Sequence, residues 1–233
     1  MSRAATGSTR RAARGLVLGM AALVLALPAA LAQAAPAAPA APIAPAAPGI
    51  ATAPPTTLTG QALGDALRRG GYVLYFRHGR TDFGQSDENM TSFDDCTQQR
   101  NLTDEGRRQA GAIGAAIRQQ RIPVDAVLAS PFCRTRETAM LAFGKATVAN
   151  EVRGGPAQPD DAHRYDGLRA LLARRPPPGA NVVIVSHGNP FRAVAEGPYL
   201  AEGEAAVIEP RGEAGFRVVG RIPPDAWVSL GAR

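Results

Sequence analysis

Two histidines and two arginines occur in three short motifs that could bind and attack a phosphate group. Arg77 and His78 precede a glycine, Arg134 follows a cysteine, and His187 lies between a serine and a glycine. Guanidinium groups match phosphate oxygens in pairs, and a neutral imidazole near arginines keeps its lone pair for attack on phosphorus. These residue types predict phosphoryl transfer to His78, with the other three side chains neutralising charge on the transferred group.

Each motif follows an apolar run that has the length of a buried strand. The runs cover residues 72–76, 126–129 and 181–185, and helical segments separate them. Apolar strands that alternate with helices favour a mainly parallel sheet covered on both faces, a three-layer α/β/α sandwich. Ligands bind beyond the carboxyl ends of the strands in such sheets, so we expect the three motifs at one edge.

Further elements are predicted around these strands. Helices are expected at 63–69, 104–120, 133–143 and 161–174, and late strands at 205–208 and 216–222. Thr103 is expected to cap the second helix, whose first turn is acidic. No glycine-rich nucleotide-binding loop accompanies these elements, so a nucleotide cradle is not indicated.

In order along the chain, these motifs resemble those of the histidine phosphatase superfamily, which includes the phosphoglycerate mutases. The resemblance rests on YFRHGRT (75–81), NLTDEG (101–106), SPFCRTRETA (130–139) and SHG (186–188). It implies a phosphoglycerate mutase-like α/β fold and a phosphoric monoester hydrolase of the histidine acid phosphatase type. By this resemblance His78 is the nucleophile, and Arg77, Arg134 and His187 form the phosphate pocket. No metal or organic cofactor is implied. The compact size favours the phosphatase branch.

The role of the acidic residues is left open by the sequence. Many members of the superfamily supply a carboxylate as general acid, and the candidates here are Asp82, Glu151, Asp160 and Asp161, or none of them. Without an acid, good leaving groups such as phosphohistidine, acyl phosphate or anhydride are favoured. Two acidic pairs in the long loop 79–101, Asp87-Glu88 and Asp94-Asp95, are interpreted as solvated turn residues. The alternative is a rim that selects cationic or neutral substrates.

The N-terminal segment has the composition of a leader followed by a spacer. Residues 1–33 contain arginines, the apolar run Leu16–Leu27 and A-x-A cleavage sites, which predict a secretory signal peptide. Residues 34–57 are rich in Ala and Pro, with proline at every third position from 36 to 48, and predict a semi-rigid linker. The folded domain is expected at 58–233, in the periplasm or secreted, with no stable membrane insertion after removal of the signal. An uncleaved N-terminal anchor is the alternative.

An exported chain with two cysteines favours one disulfide, between Cys96 and Cys133. Such a bond would hold the long loop next to Arg134 and could preorganise the pocket. Two free thiols are the alternative.

Charge and histidine spacing argue against two other function classes, nucleic-acid binding and a metal site. The formal charge is +6, but four of the 26 basic residues precede the first acid, Asp65, which leaves 22 basic and 20 acidic residues. This balance does not indicate nucleic-acid binding. The partner expected from the predicted phosphate pocket is a small phosphorylated substrate. A metal site of His78, His163 and His187 lacks the usual ligand spacing. A non-catalytic phosphate- or anion-binding module and a phosphomutase stay open as alternatives to a phosphatase.

Overall fold

The described part of the chain, residues 57–155 and 163–231 of a computed structural model, is built on one six-stranded sheet. The strands are β1 (Val73–Arg77), β2 (Val124–Ala129), β3 (Thr147–Val148), β4 (Asn181–Ser186), β5 (Ala205–Pro210) and β6 (Phe216–Ile222). Their order across the sheet is β3-β2-β4-β1-β5-β6. The first four strands pair in parallel, whereas β5 and β6 are antiparallel to their neighbours. The sheet is therefore mixed, with its parallel part as predicted.

Helices cover both faces of this sheet. The α-helices of the described residues are α1 (Gly60–Arg69), α2 (Asp104–Gln119), α3 (Cys133–Phe143), α4 (Asp166–Ala173) and α5 (Gly188–Val194). One core cluster contains Leu67 of α1, Ile113 of α2 and Ala139 of α3. A second cluster contains Leu168 of α4 and Phe191 of α5. The predicted three-layer α/β/α architecture is confirmed.

Strand β1 shows why the central strands are apolar throughout. Side chains alternate between the two faces of a strand, and here both faces are covered. Leu74 and Phe76 pack into the cluster with α1, α2 and α3, whereas Val73 and Tyr75 pack into the cluster with α4 and α5. Because no side of the strand meets water, polar residues are confined to its end, where Arg77 stands.

Most element boundaries follow the sequence pattern, and the differences have local causes. The helix at 133–143 and the strand at 216–222 coincide with α3 and β6. Helix α4 begins at Asp166, later than the predicted 161, and residues 156–162 lie outside the described part. Two elements were missed. Strand β3 has only two residues, and α5 begins with glycine and carries a proline in its first turn, where proline is tolerated.

Two further expectations concern the start of α2 and the N-terminal segment. Thr103 caps α2 as predicted, because its hydroxyl accepts a hydrogen bond of 3.0 Å from the backbone N–H of Gly106. The predicted signal peptide at 1–33 lies outside the described residues, as does the predicted linker at 34–57 apart from Thr57. Within the described ranges, no helix has both the length and the apolar character needed to cross a bilayer.

Candidate active site

The carboxyl ends of β1, β2 and β4 bring the predicted motifs to one edge of the sheet. Arg77 and Ser186 are register partners at the ends of β1 and β4. The backbone N–H of His78 donates to the carbonyl of Ser186 at 3.0 Å, which joins the first and third motifs. The rings of His78 and His187 have centroids 5.3 Å apart and are nearly perpendicular. The structure thus brings both predicted histidines into one site.

His78 is held as a neutral imidazole with one specific nitrogen free. Its side chain is buried, and Nδ1 lies 2.8 Å from the carbonyl oxygen of Gly79. A carbonyl only accepts, so Nδ1 carries the proton and Nε2 carries the lone pair. Burial lowers the pKa of His78 well below its ordinary value, and Arg134, Arg77 and Arg100 lower it further, against the hydrogen bond to Gly79. The ring therefore stays neutral at neutral pH, with Nε2 available as a nucleophile.

His187 is fixed on several sides of its ring. Its Nε2 lies 2.8 Å from the hydroxyl of Ser130, and the ring of Phe132 meets it edge-on at 4.9 Å. Gly154 packs so closely that a Cβ there would lie 2.5 Å from Cδ2 of the imidazole. Burial is the largest cause that lowers the pKa of His187 well below its ordinary value, followed by His78 and the nearby arginines. This second imidazole is also neutral and has little freedom to rotate.

Three guanidinium groups, one more than the sequence indicated, surround His78. Arg77, Arg100 and Arg134 each lower the pKa of His78 through their charge. Each group also stacks on an aromatic ring, with 5.2 Å for Arg77–Tyr199, 4.7 Å for Arg100–Phe83 and 4.4 Å for Arg134–Phe132. Stacking leaves the edges of a guanidinium free to donate hydrogen bonds. The cluster is therefore suited to a multiply charged oxyanion.

The Nε atoms of these three arginines are all buried hydrogen-bond donors. None of them has a hydrogen-bond partner among the residues that the structure describes. A buried donor without an acceptor costs about 1–3 kcal/mol, so several such donors seldom occur together by chance. An oxyanion with several acceptor oxygens, such as phosphate, would satisfy them.

Asp87 corrects the interpretation of the acidic pairs. Its two carboxylate oxygens accept hydrogen bonds from Nη1 and Nη2 of Arg134 at 2.9 and 3.0 Å. Oδ1 also accepts from the backbone N–H of Arg100 at 2.9 Å. The solvated interpretation is therefore wrong for Asp87, because the loop folds back and presents this carboxylate to a buried cation. Glu88 and Asp94 are exposed, as predicted.

Comparison with known protein families agrees with this geometry. The family model described as histidine phosphatase superfamily (branch 1) matches residues 73–155. By this match the chain is similar to the histidine phosphatase superfamily over a region that carries three of the four motifs predicted from the sequence. The matched region includes Arg77, His78 and Arg134, and it ends before His187. No curated protein matches the chain.

Several solved structures are similar to this chain. SixA from Agrobacterium tumefaciens is 19% identical, with a TM-score of 0.47 over 66% of this chain and 99% of that chain. The protein histidine phosphatase SixA in complex with tungstate is 19% identical, with a TM-score of 0.47 over 66% and 97% of the two chains. A mycobacterial glucosyl-3-phosphoglycerate phosphatase in complex with inorganic phosphate is 19% identical, with a TM-score of 0.47 over 64% and 95%.

Of the four carboxylates proposed from the sequence as general acids, the two that the structure describes do not contact His78 or His187. Asp82 accepts a hydrogen bond from the backbone N–H of Gly84 within its own turn, and Glu151 is exposed. In the described part of the chain, neither forms an ion pair or hydrogen bond with His78. Asp160 and Asp161 lie outside that part.

A carboxylate that the sequence did not single out, that of Glu202, lies beside His78 instead. Oε1 of Glu202 is 3.9 Å from Nδ1 of His78, and its side chain is 13% exposed. Nothing local marks this residue, because it stands in a turn between α5 and β5, more than a hundred positions from the histidine.

The predicted disulfide is present and attaches the long loop beside Arg134. Cys96 and Cys133 form a disulfide, and they are separated by 37 positions in the sequence. Gln99 adds a second link, because its Oε1 accepts from the backbone N–H of Cys133 at 2.9 Å. Its amide nitrogen donates to the carbonyls of Ser92, Phe93 and Asp95. The loop that carries Asp87 and Arg100 is thus joined to the first turn of α3.

The third histidine of the chain pairs with a carboxylate outside the predicted motifs. His163 is largely exposed, and its Nδ1 lies 2.7 Å from a carboxylate oxygen of Asp166 at the start of α4. The described residues contain no group of three or more His, Cys, Asp or Glu side chains that could hold a metal ion.

Proposed function

We propose that the protein is a phosphatase that hydrolyses phosphate monoesters, or related phosphoryl compounds, through a phosphohistidine at His78. One observation carries the proposal. The free Nε2 of a buried, neutral imidazole is surrounded by three guanidinium groups whose Nε atoms have no partners among the described residues. The match of residues 73–155 to the family model of the histidine phosphatase superfamily supports the same reaction class.

The proposed reaction has two displacements at phosphorus. Nε2 of His78 forms a bond to phosphorus while the bond from phosphorus to the leaving oxygen breaks, and the leaving group takes that electron pair. Water then attacks phosphorus, gives up a proton, and releases inorganic phosphate as the N–P bond breaks. Arg77, Arg100 and Arg134 neutralise the equatorial oxygens in both steps, and His187 contributes a polar edge of the pocket. The proton that the leaving oxygen gains balances the one that the water loses.

Replacement of His78, the proposed nucleophile, tests this function. His78→Ala is expected to abolish hydrolysis of p-nitrophenyl phosphate and to abolish acid-labile labelling of the chain by a phosphate-labelled substrate. His163→Ala is the matched control, because the exposed side chain of His163 pairs with Asp166 and, among the described residues, with none of the four predicted site residues. Robust hydrolysis by His78→Ala would refute the assigned nucleophile.

The same labelling experiment separates the alternative functions. A non-catalytic anion-binding module binds phosphate but forms no acid-labile adduct. A phosphomutase forms the adduct and passes the phosphoryl group to a second hydroxyl rather than to water. Product analysis by mass spectrometry distinguishes these outcomes.

We also propose that the protein is exported to the periplasm or secreted. The leader pattern at 1–33 supports this location, and so does the disulfide, since disulfides persist in oxidising compartments. Cell fractionation and N-terminal sequencing of the mature chain test it, with cleavage expected near residue 33. Recovery of the uncleaved chain in the cytoplasm would contradict export.

A further inference from the structure

The turn at residues 201–204 is hydrogen-bonded to the strand that carries the nucleophile. The backbone N–H of Gly203 donates to the carbonyl of His78 at 2.8 Å, and the N–H of Arg77 donates to the carbonyl of Glu204 at 3.0 Å. Nη1 of Arg77 donates to the carbonyl of Leu200 at 2.9 Å. These bonds fix the position of any side chain that the turn presents to the site.

Glu202 is the side chain that this turn places against the site. Its Oε1 accepts a hydrogen bond of 2.6 Å from the hydroxyl of Thr81, and its Oε2 accepts one of 3.3 Å from the Thr81 backbone N–H. The same Oε1 lies 3.4 Å from Nη2 of Arg77 and 3.9 Å from Nδ1 of His78. One carboxylate therefore touches a pocket arginine and the ring of the nucleophile.

We propose that Glu202 is a positioning residue for phosphoryl transfer, which orients Arg77 and supplies the counter-charge for the phosphorylated ring of His78. This inference rests on the proposed function. In the resting state the ring is neutral, with the proton on Nδ1. When Nε2 bonds to phosphorus, the ring keeps that proton and gains a positive charge, which is shared with Nδ1. A carboxylate at this distance stabilises that charge in a buried site.

The position of Glu202 does not suit the role of proton donor to the leaving group. Nδ1 and Nε2 are on different sides of the imidazole, and Glu202 lies on the Nδ1 side. Both of its oxygens already accept hydrogen bonds from Thr81. Its effect on the reaction must therefore act through Arg77 and His78.

The turn also offers a matched control. Glu204 is two positions away, and its side chain is 12% exposed, close to the 13% of Glu202. Its carboxylate accepts from Nε of Arg221 and from the backbone N–H of Ala201, both at 2.7 Å. Glu204→Gln thus removes a salt-bridged carboxylate from the same turn without removing a side chain that touches the site.

The experiment compares Glu202→Gln with Glu204→Gln in the purified full-length protein. Single-turnover labelling with a phosphate-labelled substrate measures the rate of phosphohistidine formation. We expect Glu202→Gln to lower that rate and kcat by at least about tenfold, with a smaller change in KM. Glu204→Gln should stay within about twofold of the wild type. A Glu202→Asp variant, which keeps the charge, should recover part of the lost rate.

Each outcome decides the inference. A rate for Glu202→Gln within twofold of the wild type would overturn it, and so would an equal loss in Glu204→Gln. If Glu202→Gln does not fold, the Glu202→Asp variant decides. A labelling rate closer to the wild type than to His78→Ala supports the role of the charge, and no labelling by a folded variant opposes it. Absence of any label on the wild type would instead refute the proposed function itself.

Discussion

Both carboxylate oxygens of Asp87 accept hydrogen bonds from the guanidinium group of Arg134, at 2.9 and 3.0 Å. The arginine side chain is only 5% exposed, whereas the carboxylate is 30% exposed. Burial removes water from a guanidinium, and a paired carboxylate replaces that hydration while fixing the plane of the group. We therefore expect Asp87 to set the orientation in which Arg134 meets a phosphate.

Asp87→Asn should weaken substrate binding. The amide keeps one acceptor oxygen but turns an NH₂ group toward a guanidinium N–H, so one of the two parallel hydrogen bonds is lost. We expect KM for p-nitrophenyl phosphate to rise about tenfold, which corresponds to ~1.4 kcal/mol, with a smaller change in kcat. Steady-state kinetics of the purified protein measures both constants.

Asp94→Asn is the matched control for this change. Asp94 lies in the same loop, but its side chain is 93% exposed and its partner Arg136 is 3.5 Å away. Such exposed pairs contribute little, so KM should stay within about twofold of the wild type. If Asp87→Asn binds phosphate more tightly than the wild type, the carboxylate competes with the substrate for Arg134 and does not support it.

Reduction of the disulfide should lower both stability and activity. The Cys96–Cys133 bond spans 37 positions, and closing such a loop contributes roughly 4 kcal/mol in the chain-entropy model. For a domain of this size, we expect the melting temperature to fall by roughly 8–16 °C in reductant. Thermal unfolding of the wild type with and without dithiothreitol, and of a Cys96→Ser/Cys133→Ser variant, measures this.

The effect on activity follows from where the bond is attached. Arg134 is the residue after Cys133, and Asp87 and Arg100 belong to the loop that Cys96 holds. Below the new melting temperature, the reduced protein should have a higher KM because these groups are less well fixed. Unchanged KM and stability in the double serine variant would show that Gln99 and the loop packing hold the site without the disulfide.

The sequence was sufficient to locate the four predicted site residues, because each lies at or shortly after the end of a buried strand. Arg77 ends β1, and His78 and His187 directly follow β1 and β4. Arg134 lies in the first turn of α3, which follows β2. Burial on both faces of the sheet makes such runs continuous, so their ends are visible in the sequence. Parallel pairing then brings the ends to one edge, as the register of β1 and β4 shows.

The side chains that complete the site could not be located in this way. Asp87 and Arg100 lie in a long loop, and Glu202 lies in a turn, where neither periodicity nor a strand end marks them. Their positions depend on how the chain folds back over the sheet, through contacts such as Asp87 with Arg134, 47 positions away. An acidic residue in a loop looks solvated in a sequence until its partner is known, which is why the interpretation of Asp87 was wrong.

The stability of the protein should fall as the pH is lowered below about 6.5. The pKa values of His78 and His187 in the folded chain are well below the ordinary 6.5. Below pH 6.5 the unfolded chain therefore takes up protons that the folded chain does not, and the free energy of unfolding decreases. Each group contributes up to ~1.4 kcal/mol per pH unit until its lowered pKa is reached, and above pH 6.5 the contribution of both groups is constant.

Denaturant unfolding between pH 5 and pH 8 measures this dependence. A His78→Asn/His187→Asn variant should have a shallower decline below pH 6.5, because the two groups that take up protons on unfolding are gone. An equal slope in the double variant and the wild type would locate the proton uptake elsewhere.

Gly154→Ala should damage catalysis by displacing a ring rather than by removing a reactive group. The new methyl carbon would lie 2.5 Å from Cδ2 of His187, so the imidazole must move. Its contacts with Ser130 and Phe132 oppose that movement, and the displaced ring no longer faces the phosphate pocket correctly. We expect kcat/KM to fall at least about tenfold.

Gly111→Ala, where a methyl group meets open space within α2, should leave kcat/KM unchanged and raise stability by about 0.5–1 kcal/mol. Full kcat/KM in folded Gly154→Ala would mean that the reaction does not depend on His187 at its observed position.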